Sequence, residues 1–248
     1  MNIKKIFSIF TLVVIIFATA CTNKEEKHNV SYTNEKPKEE TKIVDTNGAE
    51  KTKLNLNFGA GKLNISGNEE KLMKGKFIYS KNEWKPEIKY EVKGREGALA
   101  ISQSSLNGGN ISLNKKEYNE WNINLNEKIP MEIKLNLGAG EFKADLNKIN
   151  LKELNVEMGV GKVDLDISGN YKNNVKVDIQ GGVGEATVYL PKSIGVKIKA
   201  EKGVGAVNAN GFIVEGENIY KNSQYGKSKN SIEVNIEAGV GAINIKQK

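Results

Sequence analysis

Six short segments share one signature: two extended stretches meeting at Gly-X-Gly. They are "GAGKLNISG" from Gly59, "GAGEFKADL" from Gly138, "GVGKVDLDISG" from Gly159, "GVGEATVYL" from Gly182, "GVGAVNANG" from Gly203 and "GVGAINI" from Gly239. A phosphate-cradling glycine turn occurs once in a nucleotide-binding fold, before an amphipathic helix. Here the glycines recur and no such helix follows. They therefore read as structural corners: Gly59 and Gly61, Gly138 and Gly140, Gly159 and Gly161, Gly182 and Gly184, Gly203 and Gly205, Gly239 and Gly241.

Around the corners, apolar and polar residues alternate with period two, as in "MEIKLNLGAGEFKADL" and "IEVNIEAGVGAINIK". That period marks half-buried strands. In the second of the regular units Leu154, Val156 and Met158 share one face, as do Val163, Leu165 and Ile167 beyond the corner. First glycines at 138, 159, 182, 203 and 239 stand 21, 23, 21 and 36 residues apart. A repeat in the low twenties is that of a solenoid coil, each turn pairing with the next.

The expected fold is therefore all-β, a parallel β-helix-like solenoid over 131–248, with coils of 21–23 residues stacked in chain order. The long interval reads as one coil with a bulging loop. Some corner residue is expected at positive φ or in close backbone contact. The middle residues, Ala60, Ala139, Val160, Val183, Val204 and Val240, are small and apolar and fit an inward stack.

Between Gly59 and Gly138 the pattern is less regular but strand-rich. Residues 51–130 read as an N-terminal β subdomain covering one end of the solenoid, because an exposed coil end carries unpaired backbone groups. Trp84 and Trp121 read as its packing anchors, and Pro86 and Pro130 fit strand starts.

Upstream, Lys4 and Lys5 precede an apolar run from Ile6 to Ala20, short of the ~20 residues that span a bilayer. Residues 1–20 read as an export signal. The sole cysteine follows in "ATAC", which resembles the lipobox of bacterial lipoproteins. That resemblance implies acylation of Cys21 and a lipid-anchored chain on the extracytoplasmic face of the cell membrane. Residues 21–50 are polar and lack periodicity, so they read as a flexible tether.

The chain carries a net charge of +7 from 37 Lys and Arg against 30 Asp and Glu, but Arg95 is its single arginine. Nucleic-acid readout favours arginine's bidentate fork, so no nucleic-acid partner is expected. A lysine-rich face suits solvent, anionic headgroups or anionic wall polymers.

Catalytic signatures are absent from the sequence. The lone histidine, His28, falls in the tether, and no G-x-S-x-G, HExxH or paired CxxC occurs. "GGVGEATVY" approaches a calcium-binding nonapeptide but lacks the aspartate it needs and does not recur at nine residues. Asp164 and Asp166 fall on one strand face, expected to be solvated. Glu141, Asp164 and Glu185 are the carboxylates available to a polysaccharide-active groove, an enzymatic alternative. No cofactor or metal is expected. The best candidate partner surface is Phe212–Ser231, where Tyr220 and Tyr225 sit among lysines and asparagines; packing across the coil is the other reading of these tyrosines.

The ordered series "LNLNFGAGKLNISG", "LMKGKFIYS", "PEIKYEVKG", "LAISQ", "WNINLNEKIPMEIKLNLGAGEFKADL", "GGVGEATVYLP" and "GVGAVNANGF" resembles the toast-rack proteins, related to the C-terminal domain of LiaF-like regulators and to adhesin-like proteins with Gly-X-Gly repeats. The resemblance implies a β-solenoid-like fold and, for the LiaF-like branch, envelope-stress signalling through a membrane partner. This chain lacks that branch's several membrane helices. The expected function is thus a non-catalytic, lipid-anchored binding protein whose partner is another envelope protein or a wall polymer. A surface adhesin or glycan-binding module is the alternative.

Overall fold

A computed structural model describes residues 36–103 and 117–248; Cys21 and His28 lie outside them. Thirteen strands are described: β1 Lys38–Val44, β2 Lys51–Glu69, β3 Met73–Tyr79, β4 Pro86–Lys93, β5 Glu96–Gln103, β6 Asn119–Asn126, β7 Met131–Asp145, β8 Leu151–Asp166, β9 Val175–Leu190, β10 Gly195–Ala209, β11 Ile213–Val214, β12 Ile219–Lys221 and β13 Ser231–Gln247. The one helical turn among the described residues is Asn82–Trp84. The fold is all-β and solenoid-like, as the alternation requires.

Six long strands, β2, β7, β8, β9, β13 and β10 in spatial order, form parallel rungs. Each runs unbroken through its Gly-X-Gly, so a coil contributes one bent strand where the sequence suggested two short ones. Register holds through the corner: Gly61 lies beside Gly140, Gly140 beside Gly161, Gly161 beside Gly184, Gly184 beside Gly241 and Gly241 beside Gly205.

The stacking order corrects the sequence reading, for the last strand, β13, slots between β9 and β10. The long interval explains it. After β10 the chain turns back as β11 and β12, and β12 takes the free edge of β10 at Lys197–Lys199. The edge of β9 is then left for β13.

The core fills the angle of the bent strands. Leu135, Val156, Ile179, Val234 and Ile198 come from the arm before the corner. Phe142, Val163, Leu165, Val188 and Ile243 come from the arm after it. Fully burying such a side chain contributes roughly 1.5–3 kcal/mol. Loop residues Leu146, Ile149, Ile167, Tyr171 and Ile194 close the third side.

Of the middle corner residues Ala60 is buried, but Ala139 and the four valines are exposed, so they do not form an inward stack. Val160, Val183, Val240 and Val204 are 55%, 48%, 47% and 70% exposed. The reason is a phase shift. From inward Leu137 to inward Phe142 is an odd step, and the bend with Gly140 at φ 141° absorbs it. The middle residue is left on the convex side.

At the N-terminal end the rung beyond β2 is split. β5 pairs with the first arm of β2 over Lys51–Asn57, and β6 with the second arm from Lys62. β4 then pairs with β5, and β3 with β6. Trp121 is fully buried, edge-on to Phe58 at 4.9 Å and to Phe77 at 5.3 Å, and Trp84 is buried too. Both tryptophans are packing anchors.

The sheet also begins earlier than the polar composition suggested. Within the expected tether, Lys38–Val44 is β1, paired antiparallel with β3 along its whole length. Backbone pairing and cross-strand contacts replace apolar burial there: Glu39 binds Lys76 at 2.9 Å, and the Tyr79 hydroxyl donates to Glu40. A charged outer strand of this kind also guards a sheet edge against further pairing.

Candidate binding surface

The corner glycines are fixed by contact with the next rung. A Cβ on Gly184 would sit 1.8 Å from the carbonyl oxygen of Gly161, and one on Gly182 would sit 2.4 Å from that of Gly159. Real Cβ atoms do not approach so closely, so side chains are excluded from the whole column. What remains is a floor of bare backbone.

Over this floor runs an open groove of about 890 Å³ that crosses all six rungs. One wall is the row two residues before the first glycines: Asn57, Asn136, Glu157, Gln180, Glu237 and Glu201, in register from rung to rung. Asn136 Nδ2 donates to Asn57 Oδ1 at 2.6 Å, Glu157 binds Lys134 at 2.8 Å, and Glu201 binds Lys199 at 2.7 Å. The row is amide at Asn57 and Asn136, mixed at Glu157 and Gln180, and carboxylate at Glu237 and Glu201.

The row nearest the glycines shrinks as it goes, from buried Phe58 and Leu137 through half-buried Met158 to Gly181 and Ala238, ending at Lys202. Beyond the floor stands the ridge of exposed Val160, Val183, Val240 and Val204. A long hollow thus presents amide and carboxylate groups along one side, with Phe58, Leu137, Met158 and Ala238 beside the glycine floor, the rungs repeating at the strand spacing of about 4.8 Å. Such a surface can hold an extended ligand by hydrogen bonds and apolar contact.

Tyr220 and Tyr225 lie elsewhere. Tyr220 on β12 pairs with Ile198 and packs half-buried on the core. The Tyr225 ring lies 5.1 Å from Lys221 Nζ, and its hydroxyl donates to Glu233 at 3.2 Å. Burial, followed by the bond to Glu233, raises the Tyr225 pKa. Both rings make intrachain contacts, and neither joins the groove.

The carboxylates separate as well. Glu141 and Glu185 flank Lys162 on the outer face after the corner, with Asp164 3.9 Å from Lys162. Asp166, expected on the same solvated face, is buried. It accepts from Lys248 Nζ at 2.5 Å and from Ser168 Oγ at 2.6 Å. Among the described residues no group of three or more His, Cys, Asp or Glu could hold a metal, and no helix is long and apolar enough to cross a membrane.

Sequence reasoning located every corner glycine but missed the groove. Its signal was present, since the residue two before each first glycine is Asn, Gln or Glu in all six units.

Residues 32–189 match the family described as the N-terminal domain of toast_rack, DUF2154. Residues 137–245 match the one described as "Cell wall-active antibiotics response LiaF, C-terminal". Among solved structures, the chain is similar to a "putative cell adhesion protein" from Clostridium sporogenes. It is 88% identical, with 86% of this chain and 100% of that chain covered and a TM-score of 0.84. A "putative adhesin" from Bacteroides fragilis is 12% identical over 84% of this chain and 97% of that one, with a TM-score of 0.27. No curated protein matches. With the family match spanning more than half its length and the parallel bent rungs in place, this chain belongs to the toast-rack family.

Proposed function

We propose that the chain is a non-catalytic binding protein, anchored through lipid on Cys21 to the extracytoplasmic face of the cell membrane. The groove over the corner glycines would receive an extended segment of another envelope component. One observation carries this reading: all six rungs contribute an amide or carboxylate side chain to one wall of a single continuous hollow. Anchoring would raise the effective concentration of any membrane-bound partner, so modest intrinsic affinity suffices.

The match to the LiaF-related family supports a partner in envelope-stress response. A second reading, adhesion or glycan binding at the cell surface, is favoured by the similarity to the Clostridium sporogenes protein.

Photo-crosslinking in intact cells from Gln180 in the groove, with Lys89 on β4 as control position, tests the proposal. A membrane protein captured from Gln180 alone supports the first reading. Glycan captured there supports the second. Equal capture from both positions refutes the groove. Replacing Cys21 with Ala should abolish partitioning into the detergent phase, and unchanged partitioning refutes the anchor.

A further inference from the structure

The side of the stack remote from the corners is built from the loops that lead into successive rungs: 127–130 into β7, 146–150 into β8, 167–174 into β9, 222–230 into β13 and 191–194 into β10. Every one of these loops carries lysine. They are Lys128, Lys148, Lys172, the pair Lys227 and Lys229, and Lys192, all exposed. A basic residue recurring once per rung forms a row, provided that the loops themselves are in contact.

They are. Asn150 Nδ2 donates to the carbonyl of Lys128 at 3.0 Å, and the Tyr171 hydroxyl donates to that of Leu146 at 3.0 Å. A Cβ on Gly169 would lie 2.1 Å from the Asn147 carbonyl. Asn230 donates to Tyr171 O at 3.2 Å, and Asn222 to Ile194 O at 2.7 Å. Lys128, Lys148 and Lys172 line one open hollow of about 410 Å³ with four asparagines and Glu127.

The charges of this row are not answered by acids. On the strand faces Lys134, Lys176 and Lys199 each bind a nearby carboxylate within 2.9 Å. None of the six loop lysines forms an ion pair with another described residue. The one acid in these five loops, Glu127, already accepts from the Asn68 N–H at 2.8 Å. At the adjoining strand ends, Asp166 is held by Lys248 and Ser168, and Asp145 accepts from the Asn147 N–H at 3.3 Å. Like charges in a row repel unless an anion neutralises them.

We infer that this lysine row binds a linear phosphate-bearing polyanion laid along the stack. With strands about 4.8 Å apart, the five loops extend over about 19 Å, a match for an extended chain of repeated charges. Lysine suits this task, because its ammonium neutralises phosphate as a point charge with no demand for base or ring geometry. Asparagines between the lysines supply neutral hydrogen-bond donors. The inference deepens the proposed envelope role, on which it rests for the setting in which such a polymer is met, and it uses a different face from the groove.

The test uses the full chain carrying Cys21→Ala, with inorganic polyphosphate as probe and salt varied at neutral pH. Replacing Lys128, Lys148 and Lys172 by Gln should weaken binding about tenfold or more at low salt and lower the log–log salt slope by about two. Replacing Lys62, Lys89 and Lys143 by Gln removes the same charge from strand faces and should leave affinity within about twofold. Equal losses in the two triple variants overturn the site in favour of diffuse net charge. Absence of binding, or binding to phosphatidylglycerol vesicles without binding to polyphosphate, overturns it too. Polyphosphate binding retained while Gln180 captures nothing in cells sinks the groove and leaves the row; the converse sinks the row alone.

Discussion

The side-chain amide of Asn119 donates to the carbonyl oxygen of Ala60 at 2.6 Å, at the point where the stack of corners ends. Every later corner is answered by the backbone of another. At β2 the next rung is split into β5 and β6, and Asn119 opens β6 while Gln103 closes β5. Gln103 Oε1 accepts from the Gly59 N–H at 3.0 Å. Two side-chain amides thus replace a missing strand.

This substitution of side chain for backbone gives a first prediction. Asn119→Leu leaves the buried Ala60 carbonyl without its donor and should lower stability by about 1–3 kcal/mol. Asn122→Leu, on the half-buried outer face of the same strand, should cost about 1 kcal/mol or less. Urea denaturation read by near-ultraviolet circular dichroism compares them. Equal midpoints for the two variants would show that the split corner needs no cap.

The corner glycines separate two reasons for glycine. Gly184 has φ 146° and a neighbouring carbonyl oxygen 1.8 Å from where a Cβ would stand, whereas Gly94 has φ 62° and open space around it. Gly184→Ala should therefore cost more than about 3 kcal/mol, since both strain and backbone displacement are incurred. Gly94→Ala should cost only about 1 kcal/mol. Gly182→Val, at ordinary φ but 2.4 Å from Gly159 O, should fall between them. Thermal denaturation of the three variants checks the order, and a Gly94 effect as large as that of Gly184 refutes the contact argument.

Exposure of the corner valines reverses what their chemistry suggested. Val204→Ala and Val183→Ala should change stability by less than about 0.5 kcal/mol, whereas Val156→Ala, at 2% exposure in the core, should cost roughly 2 kcal/mol. If Gln180 captures a partner, Val183→Asp should weaken that capture while leaving the denaturation midpoint within a degree or two of wild type.

Period two and recurring glycines were enough to read parallel strands and their corners, but not that each strand runs unbroken through its corner. Neither reports the phase at a bend. Val204 and Leu137 are both apolar, yet one faces out and the other in. Nor does local pattern fix which strand lies beside β10. That depends on where the segment from Ile213 to Lys221 pairs, a long-range choice. β1 escaped notice because Lys38–Val44 is held by backbone pairing and charge contacts. The groove row was visible as letters, but its continuity needed the register of six strands. The partner of Asp166 lies at Lys248, far along the chain, which strand-face periodicity alone does not reveal.

That last pair sets an acid limit on stability. Burial alone would raise the Asp166 pKa, but the bonds from Lys248 Nζ, Ser168 Oγ and the Ser168 N–H outweigh it and hold the carboxyl below its ordinary value of 3.8. A depressed folded-state pKa means that the ionised group stabilises the fold fully above the ordinary value, and that this contribution is lost as pH falls through the folded value. Wild-type stability should therefore drop as pH is lowered below about 3.8, with Asp166 contributing part of the slope. Asp166→Asn removes the charge at every pH, should cost about 1.5–3 kcal/mol near neutrality, and should flatten that part of the acid limb. Urea midpoints between pH 2 and pH 7 measure both. Parallel wild-type and variant curves through the acid range would show that Asp166 does not titrate differently in the folded and unfolded chains.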